Sequence, residues 1–214
     1  MRGSADIQHH DLGMAEPFDA TRLQEAGLGV FFRPRDIAPL GVSHRRLQGM
    51  VSEGAIEKFG NGLYRLAQVE PTEVETQAMV AAAVPNAIIC LLTALHFHHI
   101  GTQAPHEVWI ALDRKARKPT RAPARVRIVR FSGVMLTHGV VVHSLLGVPV
   151  RVTSPARTVV DCFRYRNKLG LDIAIEALRD ALSLRVATID EIMHTADACR
   201  ARSVIRAYVQ ALVS

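Results

Sequence analysis

Three side chains that can hydrogen-bond to DNA bases occur close together in the first quarter of the chain: Arg45, Arg46 and Gln48. An arginine guanidinium donates two hydrogen bonds to N7 and O6 of guanine, and a glutamine amide pairs with N6 and N7 of adenine. Ser43 is a favourable N-cap, and apolar residues recur at helical spacing behind it, so a helix is predicted from residue 43 to about 53. The outward-facing candidates for DNA contact are Ser43, His44, Arg45, Arg46 and Gln48.

A β-hairpin is predicted directly after this helix. Residues 56–59 and 63–66 alternate apolar and polar around a turn whose glycines accept positive φ angles. Lys58, Asn61 and Arg65 would lie on this hairpin and contact DNA phosphates. Such contacts position a protein on DNA without reading its sequence.

The elements before the helix complete a known structural order. Short helices are predicted at residues 19–26 and 33–40, the second opened by Pro34 and followed by Gly41. Helix, short helix, turn, helix and hairpin within residues 19–67 predict a winged helix-turn-helix, whose third helix enters the major groove. The alternative is a winged helix that binds another protein and has no affinity for DNA.

Positive charge is concentrated in residues 113–130. This segment has eight basic side chains and one acid, a net charge of +7, whereas the whole chain carries +6. Pro119 and Pro123 exclude a continuous helix, so a loop that presents cations is predicted. It would contact DNA phosphates or an acidic partner, unless it is only a solvated loop. The candidate contact residues are Arg114, Lys115, Arg117, Lys118 and Arg121.

After a linker at residues 68–72, residues 73–214 are predicted to form an α+β domain with a small, mostly antiparallel sheet and several helices. Apolar residues alternate at period two in four segments of this domain. The predicted strands are residues 108–112, 126–131, 140–146 and 148–152.

Helix starts in this domain are indicated by capping residues. Thr72 with Glu75, and Thr188 with Glu191, have the spacing of a capping box, and Ser154 precedes a first-turn proline. A further helix is predicted from about residue 88 to 100. The predicted inner face of the last helix is Val204, Ile205, Tyr208 and Leu212.

The main enzymatic alternative is a nuclease. Asp113 and Lys115 end a predicted strand in an acid-x-Lys pattern that can hold a metal ion near a phosphodiester. The nearest upstream acid, Glu107, would lie at the far end of the same strand, and the histidines within residues 96–99 are not spaced to face one metal ion. The sequence contains no catalytic triad order and no phosphate-binding glycine loop. We therefore expect no enzymatic activity, no metal and no cofactor.

Composition indicates a folded, cytoplasmic protein. Of the 214 residues 49% are hydrophobic and 21% charged, and the three cysteines are isolated, which excludes a disulfide scaffold and favours a reducing compartment. Residues 1–18 contain no secretory apolar run and are predicted to be disordered or vector-derived. Residues 78–95 are almost entirely apolar, but Pro85 and Asn86 interrupt them, so no membrane span is expected.

Four segments together resemble a known family. They are GLYRL at residues 62–66, LTALH at 92–96, HEVWIAL at 106–112 and SPARTVVDCF at 154–163. In this order they resemble the AbiEi family, the antitoxins of type IV toxin–antitoxin systems. The similarity extends over about residues 20–183.

This resemblance implies an N-terminal winged helix that represses its own operon by binding inverted repeats, with a dimer on DNA as one arrangement. It also implies a C-terminal domain that counteracts a nucleotidyltransferase-like toxin encoded next door, directly or indirectly. The predicted helix at residues 43–53 and the hairpin at 56–66 match the family's DNA-binding part. The similarity weakens after about residue 186, so no role is implied for the residues beyond it.

Overall fold

The computed structural model describes residues 20–60, 62–120 and 122–213. Within these ranges the chain is α+β, with ten α-helices and two sheets of three and five strands. The predictions for residues 1–18, for Asn61 and for Arg121 lie outside the described residues.

Residues 20–66 form three helices and a small antiparallel sheet. The elements are α1 (Ala20–Glu25), β1 (Phe31–Phe32), α2 (Pro34–Ile37), α3 (His44–Ser52), β2 (Ile56–Gly60) and β3 (Leu63–Leu66). The second half of the helix predicted at residues 33–40 is a short 3-10 helix (Ala38–Leu40). The predicted helices and hairpin are observed, but β1 was not predicted, because two residues are too few to show a period. It pairs with β3, so the strand order is β1-β3-β2.

The larger sheet contains five strands in the order β6-β5-β4-β8-β7. They are β4 (Ile88–Ile89), β5 (Val108–Asp113), β6 (Val126–Phe131), β7 (Val140–Leu145) and β8 (Val148–Thr153). The prediction of a mostly antiparallel sheet is wrong, since β5–β6 and β4–β8 are parallel and only β4–β5 and β7–β8 are antiparallel. The long connection after β5 brings the chain back to the start of that strand, so β6 runs parallel to β5. Strand β4 lies between β5 and β8, antiparallel to β5 and parallel to β8.

Helices cover both faces of this sheet. The remaining helices are α4 (Glu75–Ala83), α5 (Leu91–Phe97), α6 (Pro155–Arg164), α7 (Arg166–Leu169), α8 (Leu171–Ser183), α9 (Ile189–Ala198) and α10 (Arg202–Val213). One face, which includes Trp109 and Ala111, packs on α5, α6 and the helices that follow them. The opposite face, which includes Ile110 and Val150, packs on α4 and on part of the N-terminal region. Alternation along β5 therefore serves two cores.

Of the three capping predictions for residues 73–214 and the linker before them, two are confirmed and one is wrong. The Ser154 side chain accepts a hydrogen bond from the backbone of α6, and Thr188 and Glu191 form the capping box of α9. No capping box forms between Thr72 and Glu75, because α4 begins at Glu75 itself and the carboxylate of Glu75 accepts a hydrogen bond from an arginine instead.

The last two helix predictions also need correction. The helix predicted from residue 88 begins at Leu91, because Ile88 and Ile89 form β4. In α10, Leu212 is 38% exposed, and Val209 is buried in its place. One turn of helix separates 209 from 205, so Val209 extends the buried stripe that starts at Ile205.

The N-terminal region has a buried cluster of its own, formed within residues 20–69, and shares a second cluster with the larger sheet. Val30, Phe31 and Leu63 share a buried cluster with Val80, Ala81 and Val148, which follow the linker: this cluster extends across the predicted boundary at residues 68–72. Hydrogen bonds join the same parts. The Val30 N–H donates to the Leu146 carbonyl at 2.8 Å, and the Arg33 guanidinium donates to the last carbonyls of α4. Residues 20–66 are therefore packed against the sheet.

Candidate nucleic-acid interface

Helix α3 is anchored by its first residue and by its buried face. The Ser43 hydroxyl accepts a hydrogen bond of 3.2 Å from the backbone N–H of Arg46, which satisfies one of the unpaired donors of the first turn. Leu47 and Met50 are fully buried on the inner side. The opposite side presents exposed polar residues: Ser43, His44, Arg45 and Gln48.

Arg46, the third predicted base-reading residue, is half-buried. Its Nη1 lies 3.2 Å from Oε1 of Glu53, immediately after the end of the same helix. The carboxylate of Glu53 is more than half exposed, and ion pairs of this kind contribute about 0–1 kcal/mol. Arg45 and Gln48 are thus the outward pair of the predicted trio, while Arg46 is held along the helix.

Of the two described hairpin residues that were predicted to contact phosphates, one is exposed to solvent. Lys58 is exposed on β2, beside Phe59, whose ring is 44% exposed and packs edge-on against Phe31. Asn61 lies outside the described residues.

Arg65 does not fit the predicted phosphate contact, because its side chain is only 7% exposed. Its Nε donates to Oε1 of Glu75 at 2.8 Å and its Nη2 donates to the Val69 carbonyl at 2.6 Å. This side chain instead fastens β3 to the start of α4. A carboxylate ten residues away in sequence gave no local signal of the pairing.

Residues 20–67 carry a net positive charge, whereas the first 67 residues taken together are neutral. This range has seven basic and four acidic side chains, a net charge of +3, and three of the four acids have basic partners. Asp36 lies 3.6 Å from Nε of Arg35, Glu53 pairs with Arg46, and Glu57 lies 3.8 Å from Arg65. A surface with this balance attracts polyanions.

The basic loop between β5 and β6 is exposed and folded back on itself. Arg130 donates from Nη1 to the carbonyls of Asp113 and Ala116, and the backbone N–H of Lys115 donates to Oδ1 of Asp113 at 2.6 Å. These hydrogen bonds hold the turn from which the basic side chains project. Those that the structure describes as exposed are Arg114, Lys115, Arg117 and Lys118; Arg121 lies outside the described residues.

The two acids considered for the nuclease alternative, Asp113 and Glu107, each have another partner. Asp113 holds the backbone of its own turn, and Glu107 pairs with Arg127 at 3.0 Å at the other end of β5. Across the described part of the chain, no group of three or more His, Cys, Asp or Glu is placed to hold a metal ion. Among the histidines, burial lowers the pKa of His98, whose Nε2 lies 2.7 Å from the Thr153 carbonyl, so a neutral ring that donates to this carbonyl fits the site.

A buried ion pair lies at the centre of the C-terminal core, in the segment SPARTVVDCF. Arg157 and Asp161 are both fully buried on successive turns of α6, with Nε 2.9 Å from Oδ2. Burial raises the pKa of Asp161 to about 6, although the adjacent guanidinium opposes this shift. Sequence reasoning did not identify the pair; its only local signal was an Arg and an Asp four residues apart in an apolar helix.

The apolar segment 78–95 is divided between α4, β4 and α5. No helix in the described ranges is both long enough and apolar enough to cross a membrane. Burial of this segment against the sheet accounts for its composition.

Comparison with known proteins assigns no family. The chain matches no family model, and no curated protein matches it significantly. Among solved structures it is similar to the RV2827C protein from Mycobacterium tuberculosis, with 12% sequence identity and a TM-score of 0.45. The match covers 83% of this chain and 63% of that chain, so this chain spans less than two thirds of that protein's length.

Proposed function

We propose that the chain is a cytoplasmic, sequence-specific DNA-binding protein that represses its own operon and is the antitoxin of a type IV toxin–antitoxin system, with no enzymatic activity of its own. The observation that carries the DNA-binding half is the joint exposure of Arg45 and Gln48 on α3. Buried Leu47 and Met50 hold this helix from behind. Base readout needs such rigid support, because misplaced donors lose their hydrogen bonds.

The arrangement of residues 20–66 supports a winged helix-turn-helix. In this proposal α3 enters the major groove, and the β2–β3 hairpin lies along the DNA backbone with Lys58 on a phosphate. Strand β1 closes the other side of β3 and links the hairpin to α2. Arg46 would reach a base only after leaving Glu53, so we assign it a smaller part than Arg45.

The antitoxin half of the proposal rests on the resemblance to the AbiEi family. Eight residues of the resembling segment 154–163, including Arg157 and Asp161, are buried in α6, where they support the core and offer no surface to a toxin. The exposed cations of the loop after β5 are better placed for an acidic face of a nucleotidyltransferase-like toxin, or for additional DNA phosphates. These cations are Arg114, Lys115, Arg117 and Lys118.

The DNA-binding half is tested with the purified full chain and labelled DNA from upstream of its own gene. We expect specific binding, and a log K that falls with log salt at a slope of about −5 if about six phosphates are contacted. Arg45→Ala with Gln48→Ala should reduce specific binding to the level of unrelated DNA. Arg206→Ala, which removes an exposed cation from α10, is the matched control. Absence of any binding would leave the winged helix as a protein-interaction module.

The antitoxin half is tested by co-expression with the product of the neighbouring gene. We expect growth to be rescued by the full chain, and by the Arg45→Ala/Gln48→Ala variant when both genes are under foreign promoters. Charge reversal at Arg114 and Lys115 should weaken rescue if the loop contacts the toxin. Mg²⁺-dependent cleavage of DNA that disappears in Asp113→Ala would instead support the nuclease alternative.

A further inference from the structure

A cavity of about 660 Å³ lies where the N-terminal region meets the five-stranded sheet. The chain between α1 and β1, the helix α2, the end of α4 and the β7–β8 hairpin form its walls. This volume is within the range of about 300–1,000 Å³ typical of small-molecule sites. The lining residues on which the following argument depends are Leu28, Arg35, Asp36, Ala82, Val148 and Arg151.

The cavity follows from the short length of β4. This strand pairs with β8 only at Arg151 and Val152, so the first half of β8 extends beyond it without a partner strand on that side. The N-terminal region passes this gap at Gly29, where a Cβ atom would lie 2.9 Å from the carbonyl carbon of Gly147. Gly29 and Gly147 bring their backbones into contact and close one end of the cavity, while the rest of the cavity stays open.

The cavity is lined by apolar side chains and by three ionisable ones. Leu28, Ala82 and Val148 provide apolar surface. Of the three ionisable lining residues, Arg35 and Asp36 form an ion pair, with Nε 3.6 Å from Oδ1, and Asp36 also accepts a 2.7 Å hydrogen bond from the backbone N–H of Arg33. The third is Arg151, which supplies the remaining positive charge. Arg151 donates from Nη2 to the Leu136 carbonyl at 2.7 Å and is half-buried, which fixes its guanidinium at the wall.

We propose that this cavity binds a small molecule with an apolar body and a single carboxylate, and that its occupation alters DNA affinity. The second part rests on the function proposed above. Residues of α2 line the cavity, and only the 3-10 helix, Gly41 and Val42 separate α2 from the N-cap Ser43 of α3. A ligand that displaces α2 therefore changes the position of Arg45 and Gln48, and by linkage DNA changes the ligand affinity by the same factor.

Binding is tested by calorimetry on the full chain with 1-naphthaleneacetate and its neutral analogue 1-naphthaleneacetamide. We expect saturable binding of one acetate per chain, about tenfold tighter than the amide, because a carboxylate forms charge-assisted hydrogen bonds with arginine. Ala82→Phe should fill the cavity and weaken binding at least about tenfold. Arg151→Gln, which removes the half-buried cation at the wall, should weaken binding of the acetate and leave binding of the amide unchanged, and its thermal unfolding checks that the variant is folded. Arg206→Gln is the control for general charge.

Each result decides one part of the proposal. Absence of saturable binding, or equal binding by the Ala82→Phe variant with unchanged thermal unfolding, would overturn the site. Equal affinity for the acetate and the amide would overturn the carboxylate. Operator affinity that is the same with and without saturating acetate would overturn the regulatory role, while failure of the chain to bind DNA at all would overturn both that role and the proposed function. Calorimetric binding is independent of DNA and separates these failures.

Discussion

Replacement of Arg157 by methionine should destabilise the chain far more than replacement of an exposed arginine. The Arg157 guanidinium donates from Nε to both carboxylate oxygens of Asp161 and from its two Nη groups to the carbonyls of His138 and Met135. Its Cζ also lies 5.0 Å from the ring centroid of Phe131. Methionine has a similar length but no donor, so the carboxylate of Asp161 would remain fully buried without a cation.

Removing one partner of a buried ion pair costs about 3–5 kcal/mol, because the other charge stays desolvated. The carbonyls of His138 and Met135 also lose their donors, so we expect the loss in free energy of unfolding to fall within this range. For a chain of this length each kcal/mol lowers Tm by about 2–4 °C, so we expect a fall of roughly 6–20 °C. The pKa of Asp161 should rise further, since Arg157 lowers it in the native chain.

Thermal unfolding followed by circular dichroism measures this loss. The matched control is Arg202→Met, which breaks the exposed pair with Asp197 and should cost less than about 1 kcal/mol. A second variant, Arg157→Met with Asp161→Leu, should recover part of the stability because no buried charge remains. A Tm for Arg157→Met equal to that of the control would refute the assignment of the pair as the centre of the core.

Three further predictions concern recognition, packing and pH. Arg45→Ala should weaken specific DNA binding by about 1–3 kcal/mol and relax preference at one base pair, measured by anisotropy with single-position operator variants; an even loss over all sequences would contradict base readout. Gly29→Ala should lower Tm by several degrees, since its Cβ would lie 2.8 Å from Val148 and 2.9 Å from backbone atoms of Gly147; unchanged unfolding would mean that this contact yields easily. Asp161 has a folded pKa of about 6 against an ordinary 3.8, so folding takes up a proton between pH 4 and 6 and its contribution to stability falls as pH rises through that window. Asp161→Asn should remove this component from urea unfolding curves measured at pH 4.5 and 7, and identical pH dependence in both proteins would refute it.

The packing of the N-terminal region changes which experiments are informative. Arg65 is buried against Glu75, and Phe31 shares a cluster with Val80 and Val148. A fragment ending near residue 70 would expose this apolar surface and remove Glu75, the closer of the two acids that pair with Arg65. Point variants in the full chain therefore separate the two proposed activities better than fragments do.

Local patterns were sufficient for the elements that are stabilised by their own neighbours. Ser43 and Ser154 are N-caps as predicted, and the alternation in residues 56–66 produced the hairpin, because caps, turns and side-chain periods depend on residues a few positions apart. The exposure of Arg45 and Gln48 was predictable for the same reason, since the buried face of one helix determines its exposed face.

The sequence alone thus determined the helices, the hairpin, the α+β class and the outward residues of α3. Only the tertiary structure decided that half of the sheet's pairings are parallel, that Arg65 pairs with Glu75 and not with solvent, and that a cavity lies between Gly29 and β8. These features join residues far apart in the chain. Their free energy comes from burial and charge pairing across the core, for which a local window of sequence contains no pattern.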